Sequence, residues 1–283
     1  MDYLLIIFPI VFVAAINCAQ GNGDDPFYRS YYQTWGGSHL TVYNQGHEVQ
    51  LLMDSSSGAG FSSKRDFGSG YFSMKIKIPE KNSKGLITSF YLISVPVGQP
   101  VEGVKHYEFD IEFYGTDGNP HIISTNAFAN DLGNREQQFH LWFDPTKGFH
   151  TYEILWNQHQ IVWFVDDTPI RVWKNNTQLG VGFPTGPLHV EASIWNPSYL
   201  GTPDWSQGPF KAHYREFGID GCNYQSSKQD LCSSQSYYWN QNKYWQLDPK
   251  QQGKLQNARK NYMYKDYCKE DSNRHGPECQ VNQ

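Results

Sequence analysis

The sequence predicts an all-β fold in which two antiparallel sheets pack as a jelly roll or β-sandwich. Short segments of alternating apolar and polar residues recur along the chain, and glycine and proline separate them. Turns follow one another too closely to leave room for long helices. Aromatic residues make up 16% of the chain, with 19 Tyr, 17 Phe and 9 Trp, and they are residues that strands favour.

The strands follow in order from Phe27. The first clear pair lies in Leu40 to Leu52, where a turn at residues 44–46 separates two apolar runs. Further strands are predicted over Gly70–Pro79, Leu86–Val95, His106–Gly115, His121–Phe128, Phe149–Trp156, Ile161–Val165, Ile170–Trp173 and Leu188–Ile194. Packing all of them into two antiparallel sheets gives each strand one buried face.

The composition changes after Cys222, where Ser, Gln, Asn and Tyr become frequent. Residues 248–266 predict a short helix that begins near Pro249, a residue suited to the first turn. Its apolar side chains recur at helical spacing. We therefore expect a sandwich domain over residues 22–221 and a C-terminal extension over residues 222–283, with the helix across the end of the sandwich.

The N-terminus is apolar from Tyr3 to Ile16. A membrane anchor needs about 20 apolar residues, so this shorter run favours a signal peptide over an anchor or a buried strand. The sequence predicts a signal peptide over residues 1–21, cleaved after Ala19 or Gly21, and hence a secreted protein.

Four cysteines remain after that cleavage, and an even number in a secreted chain indicates disulfides. Three pairings are possible. The local pairing, Cys222 with Cys232 and Cys268 with Cys279, closes two short loops and is the one we predict. The spacings do not resemble a zinc site, so no metal is expected.

The strand from His106 to Gly115 carries the chemistry. Glu108, Asp110 and Glu112 recur at every second residue, and large apolar residues stand between them. Successive side chains of a strand point to opposite faces, so the three carboxylates share one face and the apolar residues face a core.

Two glutamates on one face suggest cleavage or transfer at a glycosidic bond, which needs an acid and a nucleophile or base. Residues four apart on a strand have Cα atoms about 13 Å apart, whereas a retaining pair holds its carboxyls about 5–5.5 Å apart. Side chains leaning together on a curved strand would close most of that gap. From spacing alone, either glutamate could be the acid and either could be the nucleophile or base. An ordinary strand with a solvated acidic face would explain the same spacing equally well.

The charge of the chain indicates which classes of partner to expect. The formal net charge is −5, and no block of Lys or Arg occurs, so nucleic acid is not expected to bind. No membrane partner is expected for the mature chain, and we take the protein as a monomer.

The strand at His106–Gly115 resembles the active-site strand of glycoside hydrolase family 16, and in particular that of plant xyloglucan endotransglucosylase/hydrolases. Further similar segments run along nearly the whole mature chain. They are Thr34-Trp35-Gly36, residues 57–61, residues 134–146, residues 164–171, Asp204-Trp205-Ser206, Asp220-Gly221-Cys222 and the cysteine-bearing tail.

The resemblance implies a curved, concanavalin-like jelly roll with an open cleft and a cysteine-stapled extension. It implies retaining chemistry without a metal or an organic cofactor, on a polysaccharide of the plant cell wall. In that chemistry Glu108 is the nucleophile, Glu112 is the acid and base, and Asp110 hydrogen-bonds Glu108. The acceptor is a sugar hydroxyl, which gives transfer, or water, which gives hydrolysis.

The resemblance also marks positions that contact the substrate. They share a place in motifs that line the cleft in similar proteins: Ser124, Thr125, Asn126, Asn134, Arg135, Glu136, Trp195, Asn196 and Arg274, besides Glu112 itself. Ser124 stands where the motif has glutamine. Without the resemblance, most of these residues would be interpreted as ordinary loop or turn residues, and Trp195 would be interpreted as a core residue.

The chain departs from the family in three places. Tyr107 replaces an aspartate but points away from the carboxylates by alternation. The family's glycosylation sequon after the catalytic strand is absent, and Asn175 begins the one Asn-x-Thr sequence in the chain. The segment from Asn196 to Asp204 is short and lacks the Trp-Ala-Thr-Arg-Gly-Gly of similar proteins.

Two classes of function remain open on the sequence. One is a secreted cell-wall enzyme that acts on β-1,4-glucan, xyloglucan by default or a less branched glucan because of the short loop. The other is a β-sandwich that binds glucan without cleaving it. Retention of all three carboxylates favours the enzyme.

Overall fold

The structure, a computed structural model, describes residues 26–118, 120–270 and 276–281, apart from the side chain of Gln229. Two antiparallel sheets form a sandwich, as the sequence predicts. The predicted signal peptide and Arg274 lie outside the described residues.

Fifteen strands and three short α-helices make up the regular structure of the described residues. The strands are β1 Tyr31–Trp35, β2 Leu40–Tyr43, β3 Glu48–Met53, β4 Ala59–Ser63, β5 Phe67–Lys77, β6 Ile87–Ile93, β7 His106–Tyr114, β8 Ile122–Asp131, β9 Gln137–His140, β10 His150–Trp156, β11 Gln160–Val165, β12 Thr168–Lys174, β13 His189–Trp195, β14 Phe210–Asn223 and β15 Met263–Asp266. The helices are α1 Pro26–Ser30, α2 Pro249–Asn261 and α3 Tyr267–Glu270.

One sheet has eight strands in the order β1-β4-β13-β6-β7-β8-β9-β15, and the other has seven in the order β12-β11-β10-β5-β14-β3-β2. Strand β7, which carries the three carboxylates, therefore lies in the interior of the larger sheet between β6 and β8. Hydrogen bonding on both edges holds its backbone in place, and this fixes the positions of its side chains.

The core between the sheets is rich in aromatic residues. Trp156, Trp163 and Trp173 of the smaller sheet are each 1% exposed or less, and Trp163 packs 6.0 Å from Phe109 of β7. Burying large rings of this kind stabilises a sandwich by about 25 cal/mol per Å² of apolar surface. The high aromatic content thus serves the core as well as the surface.

The C-terminal helix is shorter than the sequence prediction. Asp248 caps α2 and forms a capping box with Gln251, but the helix ends at Asn261 rather than near Asp266. Met263–Asp266 instead form β15, which pairs with β9. The helical spacing of Met263 was misleading because the unpaired edge of β9 offers backbone hydrogen bonds that a longer helix would leave unmade.

The predicted disulfides are confirmed as Cys222–Cys232 and Cys268–Cys279. Cys222 and Cys232 pack with Trp239 in a small apolar cluster behind the smaller sheet. Helix α2 contacts both β12 and β15, the edge strands of the two sheets at one side of the sandwich. Strand β14 continues through the predicted boundary at residue 221, so the extension begins within a strand.

No helix among the described residues is long and apolar enough to cross a membrane.

Candidate active site

The alternation predicted for β7 is confirmed. Phe109, Ile111 and Phe113 are at most 1% exposed and belong to the core. Glu108, Asp110 and Glu112 point to the opposite face of the eight-stranded sheet, which we call the carboxylate face. Tyr107 packs against the core, as its place between His106 and Glu108 requires.

The register sets out the neighbours of each carboxylate. Asp110 lies opposite Tyr91 of β6 and Asn126 of β8, and Glu112 lies opposite Ser89 and Ser124. Directly opposite residues in antiparallel strands project to the same face, so polar side chains continue across the sheet on both sides of β7. The carboxylate face is therefore a polar band that runs across the strands.

His106 anchors Glu108. Its Nε2 lies 2.9 Å from Glu108 Oε2, and its Nδ1 lies 2.7 Å from the carbonyl oxygen of Val104. A carbonyl oxygen only accepts, so Nδ1 carries a hydrogen. His106 and Glu108 therefore share one further proton between Nε2 and Oε2. The ring of Phe128 stacks on the imidazole with centroids 4.6 Å apart and restrains its orientation.

Burial dominates the electrostatics of the three carboxyls. The pKa of Glu112 is raised from 4.5 to about 8, chiefly by burial and in addition by the charges of Asp110 and Glu136. Burial also raises the pKa of Glu108, while a hydrogen bond from Asp110 acts in the opposite direction. Burial and the charge of Glu108 raise the pKa of Asp110 well above its ordinary range. At neutral pH the group thus retains protons, as an acid catalyst requires.

We expect these raised pKa values to make stability depend on pH. The pKa of Glu112 is 4.5 when unperturbed and about 8 in the fold. Between those values the unfolded chain releases a proton that the folded chain keeps, so the free energy of unfolding falls as the pH rises. Denaturant titrations from pH 5 to 8 on the native chain and on Glu112→Gln measure the effect. The native chain should lose more stability over this range, and parallel curves would contradict the assignment.

The three residues of the Ser124–Asn126 segment do not share a face. Ser124 and Asn126 stand opposite Glu112 and Asp110 on the carboxylate face, whereas Thr125 stands opposite Ile111 on the core side. There its hydroxyl contacts Arg171 Nη1 at 3.1 Å, and the same nitrogen donates to the Thr125 carbonyl at 2.8 Å. Thr125 therefore serves the packing of β8 in this structure.

Arg135 is held by two carboxylates that are not part of β7. Its guanidinium contacts Asp131 Oδ2 at 2.7 Å, and its Nε donates to the fully buried Glu278 at 2.6 Å. The backbone N–H of Arg135 donates to Asn126 Oδ1 at 3.0 Å. Arg135 thus connects the tail to Asn126 beside Asp110.

The residues on either side of Arg135 differ in placement. Asn134 has a positive φ of 63° and lies in the turn before β9. Glu136 lies close enough to Glu112 for its charge to raise the pKa of that carboxyl. Glu136 is therefore the residue of this segment that acts electrostatically on the carboxylate face.

The short loop after β13 forms one wall beside the carboxylate face. Trp195 is 36% exposed, and the carboxamide of Asn196 donates to the carbonyl oxygens of Gly85 and Gly201 at 2.6 and 2.8 Å. Asn196 therefore holds the loop against the preceding strands. Tyr199 in the same loop is 69% exposed, and its phenol lies within electrostatic range of Glu112.

Sequence reasoning missed several residues of this face. Tyr91, His189 and Glu191 form a hydrogen-bonded cluster on β6 and β13, and β6 is the direct neighbour of β7. A signal was present in β13, where His189, Glu191 and Ser193 alternate with apolar residues. The sequence predicts a strand over Leu188–Ile194 but assigns its polar residues no role.

The sequon at Asn175 lies in a turn after β12. Asn175 Oδ1 accepts from the Thr177 hydroxyl at 3.0 Å, and its Nδ2 donates to the Gln158 carbonyl at 2.8 Å. In the described part of the chain, no group of three or more His, Cys, Asp or Glu side chains is arranged to hold a metal ion.

Residues 27–216 match the sequence profile of glycosyl hydrolases family 16, and the chain belongs to that family. Xyloglucan endotransglucosylase/hydrolase protein 2 of Arabidopsis thaliana is 45% identical over 276 residues, which cover 94% of this chain and 92% of the relative. Xyloglucan endotransglucosylase protein 34 of Populus tremula x Populus tremuloides is 41% identical over 267 residues, covering 90% and 88%.

Solved structures show the same fold at lower identity. A Bacillus licheniformis β-glucanase superposes with a TM-score of 0.56 at 22% identity, covering 71% of this chain and 95% of the glucanase. A prokaryotic β-1,3-1,4-glucanase from a mouse hindgut metagenome gives a TM-score of 0.54 at 23% identity, covering 70% and 95%. These likenesses concern the fold alone.

Proposed function

We propose that this protein is a retaining enzyme of the plant cell wall that cleaves the β-1,4-glucan backbone of xyloglucan and transfers the fragment to another chain or to water. One observation carries the proposal: Glu108, Asp110 and Glu112 share one face of an interior strand. They do so in a chain that is 45% identical over most of its length to a xyloglucan endotransglucosylase/hydrolase.

In the first step, the Glu108 carboxylate attacks the anomeric carbon of the sugar at the cleavage point. The bond from that carbon to the glycosidic oxygen breaks, and the departing oxygen takes the proton of Glu112. The products of this step are a glycosyl ester on Glu108, a free chain end and an ionised Glu112. The raised pKa of Glu112 suits it to hold this proton at neutral pH.

In the second step, Glu112 removes a proton from the acceptor hydroxyl. The acceptor oxygen attacks the anomeric carbon, and the ester bond to Glu108 breaks, which restores both carboxyls. A sugar hydroxyl as acceptor gives transfer, and water gives hydrolysis. Two inversions at the same carbon leave its configuration unchanged.

Two neighbours of Glu108 support these steps. Asp110 donates a hydrogen bond to Glu108, and the imidazole of His106 lies 2.9 Å from the other side of that carboxyl. Donors on a carboxylate stabilise its ionised form, which is the form that attacks.

We propose two roles for the substrate contacts inferred from the family. Asn126 and Trp195 would contact a glucan directly, and Ser124, which is fully buried, would support the sheet beneath it. Asn134, Arg135, Asn196 and Thr125 support the cleft walls, and Glu136 acts on Glu112; Arg274 remains a proposed contact from the tail. We further propose that the chain is secreted, monomeric and glycosylated at Asn175, with a sandwich domain over residues 22–221.

The proposal is tested by incubating the secreted protein with xyloglucan, cellulose or mixed-linkage glucan, each with a fluorescent xyloglucan oligosaccharide as acceptor. Fluorescence incorporated into polymer measures transfer, and new reducing ends measure total cleavage. Both should be highest for xyloglucan. Binding to glucan with neither product would show a lectin-like protein and contradict the proposal.

The short loop from Asn196 to Asp204 is expected to weaken the preference for branched donors. It lacks the Arg-Gly-Gly contacts of similar proteins, and each lost sugar hydrogen bond costs about 0.5–1.5 kcal/mol. Two or three such losses lower affinity roughly tenfold to a thousandfold. Tyr199 occupies part of this wall but does not supply the guanidinium donors.

Grafting Trp-Ala-Thr-Arg-Gly-Gly between Asn196 and Asp204 should increase kcat/KM for xyloglucan transfer relative to cello-oligosaccharides. The measurement is the ratio of the two kcat/KM values in the native and grafted proteins. The same graft with Arg changed to Gln is the matched control and should restore less. An unchanged ratio in the graft would show that this loop does not set specificity.

A further inference from the structure

The carboxylate face carries a fourth carboxylate away from the catalytic strand. Glu191 of β13 stands opposite Tyr91 of β6, and Tyr91 stands opposite Asp110 of β7. Neighbouring strands are about 4.8 Å apart, so Glu191 lies roughly 10 Å across the sheet from Asp110. On its other side Glu191 faces Ser62 of β4.

Two donors hold the Glu191 carboxylate in place. The Tyr91 hydroxyl donates to Oε2 at 2.7 Å, and His189 Nε2 lies 2.9 Å from Oε1. Asp66 is 3.6 Å from the far nitrogen of His189, beyond hydrogen-bond distance. The position of Glu191 is thus fixed by one contact on each oxygen.

The Glu191 carboxylate can accept more hydrogen bonds than the two it has. An ionised carboxylate accepts about four hydrogen bonds, and these two contacts use one site on each oxygen. The side chain is 16% exposed, so the remaining acceptor sites are open to a ligand on the carboxylate face. Hydrogen bonds from hydroxyls to a carboxylate are among the stronger neutral-to-charged contacts in proteins.

The arrangement of β7 decides how a glucan crosses this face. Glu108 and Glu112 flank Asp110 along the strand, and the bond to be broken must lie between the two glutamates. A chain parallel to β7 would cover one of them, so the substrate must cross the strand. On one side of β7 the row opposite Asp110 continues through Tyr91 to Glu191 and Ser62, so a chain that crosses β7 in that direction passes Glu191.

We propose that Glu191, clamped by Tyr91 and His189, forms a subsite that binds the hydroxyls of a backbone glucosyl unit two strands away from the point of cleavage. The proposal rests on the proposed function and adds a specificity-determining carboxylate to it. The ligand is a neutral sugar ring with adjacent hydroxyls. The subsite increases the affinity for a glucan long enough to reach it and does not contribute to the binding of shorter ones.

The test compares Glu191→Gln and Glu191→Ala with the native protein on xyloglucan oligosaccharides of increasing backbone length. In the native protein kcat/KM should increase when the chain first reaches the subsite. Because the charge of Glu191 also raises the pKa of Glu108, each protein is assayed at its own optimum pH. Both variants should then lose about ten- to a hundredfold more on the longer substrates than on the shortest, as expected for one or two contacts to a charged group. Glu80→Gln is the matched control, because it removes an exposed carboxylate paired with Lys77 and outside the subsite, and should leave the length dependence intact.

A binding measurement separates failure of the subsite from failure of the proposed function. Calorimetric titration of the same oligosaccharides into Glu108→Gln, with and without Glu191→Gln, requires no turnover. A selective loss of affinity for the longer chains supports the subsite even if the native protein cleaves none of them. Equal losses of affinity at every length, or no loss at any length, would overturn the subsite.

Discussion

Glu108→Gln is expected to abolish turnover of xyloglucan, with a loss in kcat of about a thousandfold or more. An amide is not a nucleophile toward the anomeric carbon, so the glycosyl ester of the first step cannot form. Glutamine has nearly the same shape as glutamate and still bonds His106 and Asp110. The measurement is the initial rate of labelled transfer at saturating donor.

The same Glu108→Gln protein should fold normally and bind xyloglucan as tightly as the native chain. Thermal unfolding and calorimetric binding provide these controls. Glu80→Gln, which alters an exposed carboxylate that pairs with Lys77 and is not on β7, is the matched substitution and should leave the rate unchanged. More than a few per cent of the native rate in Glu108→Gln would show that another group is the nucleophile.

Glu112→Gln is expected to lower kcat on xyloglucan by about a hundred- to ten-thousandfold, the usual range for general acid–base catalysis. The sugar oxygen that departs is a poor leaving group without a proton. An aryl β-glycoside of a xyloglucan oligosaccharide releases a phenolate, which departs without protonation. The first step on this substrate should therefore be nearly as fast in Glu112→Gln as in the native protein. The measurement is release of the phenol before the steady state.

The second step of Glu112→Gln should remain slow with water, because the base is missing. Added azide needs no base and should restore turnover by forming a glycosyl azide. An equal loss on xyloglucan and on the aryl glycoside, with no effect of azide, would contradict the assignment of Glu112 as the acid and base.

The sequence predicts the central strand well because its alternation is a local property. Residues of period two on β7 must separate into a core face and an exposed face, whatever the rest of the fold does. The disulfide pairing was also predictable, because each bridge closes a short loop. These features depend on neighbours along the chain.

The parts that the sequence did not predict depend on partners distant in the chain. Strand β15 exists because β9 presents an unpaired edge. Arg135 meets Glu278, which lies 143 residues further along the chain. No local pattern contains the identity of such partners.

The cluster on β13 illustrates the same limit at the candidate site. Its alternation of polar and apolar residues was visible, but the neighbours of Glu191 were not. Only strand pairing places Tyr91 beside it and both residues in the row that passes Asp110. Motifs locate the reacting groups, whereas the register locates the residues that hold the rest of the substrate.

The anomeric configuration of the first product tests the central claim most directly. Proton NMR, recorded within seconds of mixing the protein with xyloglucan oligosaccharides in water, shows the new reducing end before it mutarotates. Attack by Glu108 followed by attack of the acceptor predicts the β anomer, because two inversions restore the starting configuration. Initial formation of the α anomer would show a single displacement and contradict the account.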